Sequence, residues 1–252
     1  MDVFPEYLFH YTSLEKFCLI LRSKSIRFTR LDRVNDPDEA FTKNFPRAKF
    51  FVFVSCWALA EENEESLPLW NMYSSNMKGV RIRLPINMFK GRRYPEKETT
   101  GSPIINVDGN VNIKRERFNY SSMIIGPSRV EYKEDTLNTN SCFTEHDDNT
   151  ITVELLHLGL SKRNYWNFEN EWRYRIIGMP FEGRWKKEDY DQFLLDPCIE
   201  YIDIPLDFSV LSELIVQLGP NAGLAESIMV ELLLKEFAPN AKLCDSACKI
   251  TG

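Results

Sequence analysis

Two periods of hydrophobic residues recur along the chain, and they predict different elements. Val80, Ile82 and Leu84 alternate with arginines, which predicts a half-buried strand. The run over residues 50–54 is continuously apolar, as central strands often are. Strands are predicted in this way over residues 7–11, 26–30, 49–57, 80–84, 103–107, 129–132, 171–177, 201–204, 214–218 and 242–244.

Capping signals and a spacing of three to four residues predict the helices. Thr12 is followed three residues later by Glu15, a capping box that would open a helix whose buried face includes Phe17 and Leu21. Further helices are predicted over residues 66–76, 150–162 and 222–237. The last of these would point four apolar residues inward, namely Leu224, Ile228, Leu232 and Leu233.

The order of these elements indicates an α+β fold with mixed, largely antiparallel sheets and flanking helices. Strands and helices alternate irregularly, and several strands follow one another directly, which disfavours a doubly wound parallel sheet. Because the sequence has neither a GxGxxG nor a Walker motif, a Rossmann or P-loop fold has little support. We expect a single domain over residues 1–252, with an irregular insertion at about 91–150.

Composition narrows the classes of function. The 252 residues, 43 % of them hydrophobic, can bury a large core without disulfides or metals. The net charge of −6, from 31 basic and 37 acidic residues, weakens the case for a general nucleic-acid binder. The six cysteines form no CxxC pair, so no structural zinc site is expected. The acidic N-terminus does not resemble a signal peptide and no membrane-spanning run is present, so a cytoplasmic location is expected.

The first candidate site residue is His10, where the first strand meets the first predicted helix. Such a junction is suited to binding an anion or a ribose hydroxyl. An isolated histidine is more often a hydrogen-bonded structural residue, and this alternative stays open. The other two histidines are His146, in a polar stretch, and His157, in a predicted helix.

Residues 35–39 have the sequence Asn-Asp-Pro-Asp-Glu and allow two interpretations. Asp36 can cap a helix, Pro37 suits its first position, and Glu39 completes a second capping box. The stretch could also border a pocket, and the two roles are compatible.

Two aromatic residues three positions apart, Trp70 and Tyr73, share a face of the helix predicted over residues 66–76. Trp70 is expected to pack in the core. Tyr73 could offer its ring to a planar cationic ligand.

Residues 168–173 have the sequence Phe-Glu-Asn-Glu-Trp-Arg and combine charges with large aromatic residues. If residue 169 is already extended, Glu169 and Glu171 point to the same face, about 7 Å apart. Arg173 continues that face. The row is either an exposed charged face of the sheet or the wall of a cleft, and spacing alone does not decide between them.

Taken together, these motifs resemble the bacterial domain family DUF 2971, whose function is unknown and whose members occur in abortive-infection and phage-defence contexts. The resemblance covers about residues 7–237. It rests on short motifs in a fixed order, namely His-Tyr-Thr-Ser at 10–13, Asn-Asp-Pro at 35–37 with Glu39, Ser-Cys-Trp at 55–57, Trp70 with Tyr73, Lys-Gly-Val at 78–80, Glu-Asn-Glu-Trp-Arg at 169–173 and Leu-Gly-Pro at 218–220.

That family is in turn distantly similar to the ADP-ribosyltransferase superfamily, which implies an ADP-ribosyltransferase-like fold and NAD as substrate. His10 would contact a ribose hydroxyl, and Tyr73 would stack on nicotinamide. Glu171 would be the catalytic glutamate and Glu169 the first glutamate of an E-x-E pair. The residues that the resemblance assigns to NAD binding are His10, Tyr11, Thr12, Asn35, Tyr73 and Arg173. Val-Ser-Cys-Trp at 54–57 only partly matches the superfamily's Ser-Thr-Ser motif.

The leading hypothesis is therefore an NAD-consuming transferase or glycohydrolase acting as a toxin or anti-phage effector. Its partners would be a nucleotide and a protein or nucleic-acid acceptor, without a membrane. A non-catalytic module that senses a nucleotide or a phage component is the first alternative. A magnesium-dependent nuclease using Asp36, Asp38, Glu169 and Glu171 is the second.

Overall fold

The computed structural model describes residues 4–61, 64–94, 104–107, 114–115, 118–120, 123–134, 142–179, 185–186, 188 and 199–249. Its strands are β1 (Tyr7–Thr12), β2 (Ser25–Arg30), β3 (Val52–Ala58), β4 (Val80–Pro85), β5 (Gly91–Tyr94), β6 (Ile104–Val107), β7 (Lys114–Arg115), β8 (Phe118–Tyr120), β9 (Met123–Arg129), β10 (Glu131–Lys133), β11 (Phe143–Glu145), β12 (Thr150–Val153), β13 (Ser161–Arg163), β14 (Glu171–Met179), β15 (Trp185–Lys186), β16 (Tyr201–Pro205), β17 (Ile215–Leu218) and β18 (Lys242–Cys244).

The α-helices of the described residues are α1 (Leu14–Ser23), α2 (Leu67–Tyr73) and α3 (Leu224–Phe237). Short 3₁₀ helices lie at Leu31–Arg33, Pro37–Ala40, Ala48–Phe51, Asn164–Glu169 and Phe208–Ser212. Among these residues, no helix is long and apolar enough to cross a membrane.

The strands form one large, mostly antiparallel sheet, which agrees with the α+β prediction. Its main path runs β18–β17–β4–β1–β3–β14–β9–β6–β5, with β2 and β16 branching from β3 and with β8 and β7 branching from β14. Within it, β17 and β18 are parallel. Two smaller sheets join β10 with β13 in parallel and β11, β12 and β15 antiparallel. Each predicted strand coincides with a strand of the structure to within a few residues.

The helix predicted over residues 150–162 is wrong. The segment instead contains β12 and β13 with turns between them. Only some of its apolar residues become buried: Ile151, Leu155 and Leu158 pack with Val52 and Val54 in one core cluster, whereas Leu156 is 62 % exposed. Burial of these side chains is satisfied equally well by two short strands and a turn, so periodicity over so short a stretch cannot separate the two forms.

Both predicted capping boxes need correction. Thr12 ends β1, and the residue that caps α1 is Ser13, whose hydroxyl accepts from the Lys16 amide at 3.3 Å. Asp36 does cap a turn, accepting from the Asp38 amide at 3.0 Å. That turn is a 3₁₀ helix, and the Glu39 side chain is buried instead of completing the box.

The apolar face predicted for the last helix is wrong except at Leu233, which packs against the core. Leu224 is 79 % exposed and Leu232 62 % exposed, whereas Val230 and Leu234 are buried. The helix is apolar on most of its circumference, so the choice of inward residues could not be read from spacing alone.

The region at about 91–150 was predicted to be an irregular insertion. Its described parts contain the short strands β5 to β11, of which β6 and β9 extend the large sheet antiparallel to one another. Residues 135–141 of this region lie outside the described residues, and β11 follows shortly after them.

A fork in the large sheet positions the candidate site. On one side, β3 pairs with β2 at Val54 and with β1 at Ala58. Between these two points, residues 55–57 have no strand pair on that side within the described part of the chain. β1 and β2 therefore diverge from one another, and α1 connects them. On the other side, β3 pairs continuously with β14.

Candidate functional site

A cavity of about 230 Å³ lies in the fork between β1 and β2. The elements around it explain its location, because the unpaired stretch of β3 forms one wall and the start of β14 forms another. Its polar lining residues include His10, Asn35, Cys56, Tyr73, Lys162, Glu169, Glu171 and Arg173.

The structure brings seven of the eight predicted site residues to this cavity. They are His10, Tyr11, Asn35, Tyr73, Glu169, Glu171 and Arg173. The eighth, Thr12, lines an adjoining cavity instead. These side chains come from β1, α2, the loop before the 3₁₀ helix at Pro37–Ala40, and the segment around the start of β14, so their convergence depends on the tertiary fold.

Glu171 and Arg173 share one face of β14, as predicted, and this face is a cleft wall rather than an exposed face, since both residues line the cavity. Arg175 follows them along the strand. All three side chains are buried, Arg173 completely. Arg175 donates to the Leu158 carbonyl at 2.9 Å. Burial and the neighbouring charge of Arg173 lower the pKa of Arg175 to about 10.

Glu171 and Arg173 form the centre of a buried ionic cluster. Arg173 donates to both oxygens of Glu171, from Nε at 2.6 Å and from Nη2 at 3.0 Å. Its Nη1 lies 2.6 Å from a carboxylate oxygen of Glu39 and donates to the Gly159 carbonyl at 2.9 Å. This planar pairing is the geometry for which a guanidinium is suited.

Lys162 joins the two glutamates that the sequence singled out. Its Nζ lies 2.5 Å from Glu169 and 2.9 Å from Glu171. Glu169 also accepts from the Tyr73 hydroxyl at 2.6 Å, and that hydroxyl accepts from Asn35 at 2.8 Å. The cluster, defined as Glu39, Lys162, Glu169, Glu171 and Arg173, thus extends to the cavity surface through Tyr73.

Glu169 and Glu171 reach the same lysine although the strand phasing differs from the prediction. Glu169 ends a 3₁₀ helix rather than lying in an extended strand. Asn170 then adopts the left-handed conformation, with φ of 41°, which asparagine tolerates better than most residues. It is fixed by donating its side-chain amide to the Leu59 carbonyl at 2.7 Å.

The cluster has one more acid than base, so its carboxyl groups titrate differently. Burial opposes ionisation of Glu171, but the charges of Arg173 and Lys162 outweigh it and lower its pKa to about 2. Burial and the charge of Glu171 raise the pKa of Glu169. Burial raises the pKa of Glu39 to about 6, against the charge of Arg173. The surplus negative charge is therefore held least firmly by Glu39 and Glu169.

The two central glutamates also differ in the hydrogen bonds that they can still accept. A carboxylate offers about four acceptor positions. Glu171 accepts twice from Arg173 and also lies 2.9 Å from the Lys162 ammonium. Glu169 accepts from Tyr73 and Lys162. Of the two, Glu169 thus has more capacity left for a ligand, whereas the resemblance gave the catalytic role to Glu171.

His10 is a neutral imidazole with a defined tautomer. Burial lowers its pKa, and the charge of Lys16 adds to the effect. Its Nδ1 lies 2.9 Å from the Cys56 carbonyl; because a carbonyl only accepts, Nδ1 carries the proton. Nε2 is then an acceptor, suited to a ligand hydroxyl. The ring lies 5.2 Å from that of Trp57.

The remaining predicted residues have mainly structural contacts. Tyr11 is buried, stacks edge-on against Trp70 at 4.9 Å and accepts from the Ser66 amide at 3.0 Å. Trp70 is fully buried, as expected of a core residue. Cys56 lines the cavity, but burial raises the pKa of its thiol well above the ordinary value, so it is not an activated nucleophile.

Sequence reasoning missed Lys162 and the ionic role of Glu39. Lys162 fell in the wrongly predicted helix, and its position depends on the parallel pairing of β13 with β10. Glu39 was explained by helix capping alone. The sequence could have indicated them only through charge. If Glu169 and Glu171 are buried, they need basic partners elsewhere in the chain.

No metal site is found among the described residues, where no group of three or more His, Cys, Asp or Glu side chains could hold an ion. Of the four acids considered for magnesium, Asp38 pairs with Arg163 at 2.8 Å. Glu169 and Glu171 are paired with Lys162, whose ammonium occupies the space between them.

Comparison with known proteins supports part of the family resemblance. Residues 69–174 match the model of a family described as a protein of unknown function, DUF2971. The match covers less than half of the chain. It contains Tyr73, Lys162, Glu169 and Glu171, but not His10 or Asn35. No curated protein and no solved structure matches the chain.

The raised pKa of Glu39 gives a first testable prediction. Below an unfolded pKa of 4.5 its folded form is fully protonated, and the stability that this protonation provides is lost as pH rises through about 6. Glutamine does not titrate, so the Glu39→Gln variant does not lose this stability as pH rises. Relative to wild type, the variant should gain about 2 kcal/mol of unfolding free energy between about pH 4 and pH 7. Urea unfolding at several pH values measures this.

The matched control is Glu236→Gln, since Glu236 is exposed on α3. Its stability relative to wild type should stay constant over the same range. A constant difference for Glu39→Gln as well would contradict the assignment of the surplus charge to Glu39.

Proposed function

We propose that the cavity binds NAD and cleaves its nicotinamide–ribose bond, as an ADP-ribosyltransferase or NAD glycohydrolase of a toxin or anti-phage system. The observation that supports this best is that His10, Tyr73 and Glu169 line one cavity. Cleavage of a pyridinium nucleotide requires three groups. His10 supplies an acceptor for a ribose hydroxyl, Tyr73 an aromatic ring, and Glu169 a carboxylate that can accept further hydrogen bonds.

The chemistry follows from the charge of the substrate. When the bond from ribose C1′ to the ring nitrogen breaks, its electron pair neutralises the pyridinium, so nicotinamide leaves without a general acid. Positive charge develops on the ribose, and a fixed carboxylate stabilises it. Water or an acceptor hydroxyl then adds to C1′, and its proton passes to Glu169.

Glu169 fits this role for two reasons. Its pKa is raised by burial and by the charge of Glu171, which makes its carboxylate a stronger base than an exposed glutamate. The pairing with Lys162 and the hydrogen bond from Tyr73 fix its position. Glu171 then acts through Lys162 and Arg173 as a positioning residue.

His10 and Tyr73 would orient the substrate. The unprotonated Nε2 of His10 accepts from a ribose hydroxyl, and its orientation is fixed by the Cys56 carbonyl. Tyr73 is partly buried and lines the cavity, with its hydroxyl held between Asn35 and Glu169. These contacts would hold its ring in place to stack on the nicotinamide, the role that the resemblance implies.

A second candidate is a binding module that recognises a nucleotide without cleaving it. It is favoured by the cations beside both carboxylates, since the charges of Lys162 and Arg173 oppose a developing ribosyl cation. The magnesium-dependent nuclease is not carried forward, because three of the four acids that would hold the ion are paired with Lys162 or Arg163.

The experiment separates cleavage from binding. Purified protein is incubated with NAD labelled in its adenylate half, with and without cell lysate as a source of acceptors. We expect nicotinamide release, with the label appearing either as free ADP-ribose or on a protein or nucleic acid. Saturable NAD binding without nicotinamide release would contradict cleavage and select the binding module.

A further inference from the structure

A second and larger cavity, of about 520 Å³, adjoins the first. Its lining comes mainly from α1, from the end of β1 and from β2. The two cavities share four lining residues, His10, Lys16, Arg27 and Thr29. A ligand that contacts His10 can therefore extend from one cavity into the other.

The charges that line the second cavity are mostly positive. Lys16, Arg22 and Arg27 line it together with one acid, Asp203. Arg27 is neutralised by Asp203, which accepts from it at 2.9 and 3.0 Å. Lys16 and Arg22 have no ion pair among the described residues. Lys16 and Arg22 thus remain as two cations without an ion pair in the described part of the chain. Lys16 is close enough to His10 for its charge to lower the pKa of the His10 imidazole.

Thr12 provides an independent indication of a ligand. It is 1 % exposed and lines the second cavity. Its hydroxyl is buried and has no hydrogen-bond partner within the described part of the chain. A buried hydroxyl without a partner is costly, and a ligand oxygen in the cavity would provide the missing hydrogen bond.

We propose that the second cavity binds the diphosphate of a nucleotide, with Lys16 as its principal cation and Thr12 as a hydrogen-bond donor. The inference deepens the proposed function, on which it rests, by placing the diphosphate beside the ribose that His10 contacts. Phosphate oxygens accept from ammonium and hydroxyl groups alike. The cleft then selects nucleotides over nucleosides.

Calorimetric titration with ADP and with adenosine tests this without any turnover. Wild type should bind ADP at least about tenfold more tightly than adenosine, and Lys16→Ala should weaken ADP about tenfold, as loss of one charge-assisted hydrogen bond does. Adenosine binding should not change. Lys235→Ala, at an exposed lysine of α3, is the matched control and should leave both affinities unchanged.

Thr12→Val separates a binding role from a structural one, because valine has nearly the same shape without the hydroxyl. Thr12→Val should lower the affinity for ADP about threefold, while the melting temperature of the protein stays level or rises. Unchanged ADP affinity in both Lys16→Ala and Thr12→Val would overturn the diphosphate site.

The two proposals can fail separately. Binding of ADP that depends on Lys16, in a protein that releases no nicotinamide, would retain the diphosphate site and overturn NAD cleavage. Nicotinamide release by a protein that binds ADP and adenosine equally tightly would retain NAD cleavage and overturn the diphosphate site.

Discussion

Replacing Arg173 with methionine should lower the free energy of unfolding by about 3–5 kcal/mol, the largest loss of stability that we expect from one substitution. The Arg173 side chain is completely buried, and it is paired with Glu171 and Glu39. Without it, only Lys162 remains to balance three buried carboxylates. A buried charge without a partner costs far more than the net contribution of the intact pair.

Urea unfolding at neutral pH measures the loss. Arg27→Met is the matched control, since the ion pair of Arg27 with Asp203 is roughly half exposed and should contribute at most about 1 kcal/mol. The cluster has no dominant stabilising role if the two variants lose similar amounts.

The same variant gives a second readout in its pH dependence. Without Arg173, the carboxyls of Glu39 and Glu171 should have higher pKa values in the folded state than in the unfolded state. Stability is then lost as pH rises, so the deficit relative to wild type should be smaller at about pH 5 than at about pH 8. A deficit that is constant or larger at low pH would contradict this.

The sheet could be predicted from the sequence because its strands bury residues with a period of two. In β14, Trp172, Tyr174 and Ile176 face the core, and the alternate residues Glu171 and Arg173 line the cavity. The segment over residues 150–162 shows where this reasoning ends. Its buried residues fit either a helix or short strands, and the decision depends on the pairing of β13 with β10.

Most residues of the candidate site could be located from local motifs, but their chemical states could not. Nothing near His10 in sequence indicates that the Cys56 carbonyl, 46 residues away, fixes its tautomer. The contrast between Glu169 and Glu171 likewise depends on Lys162, Arg173 and Tyr73. The sequence favoured Glu171, and the contacts favour Glu169 as the group with capacity for substrate.

Replacing Glu169 with glutamine should reduce nicotinamide release by about 100-fold or more, because the amide can neither stabilise the ribosyl cation nor accept the proton of the attacking group. The fold should tolerate this change. Lys162 keeps its pairing with Glu171 at 2.9 Å, and two acids then balance two bases. Glu171→Gln is a poorer test, because its carboxylate is paired with both Lys162 and Arg173.

The most direct measurement is therefore the initial rate of nicotinamide release from NAD by wild type, Glu169→Gln and the exposed control Glu236→Gln. The three proteins are compared at equal folded concentration, established by circular dichroism and urea unfolding. Cleavage in this cavity predicts a rate lower by about 100-fold or more for Glu169→Gln alone. Equal rates for all three proteins, or no release by wild type, would contradict it.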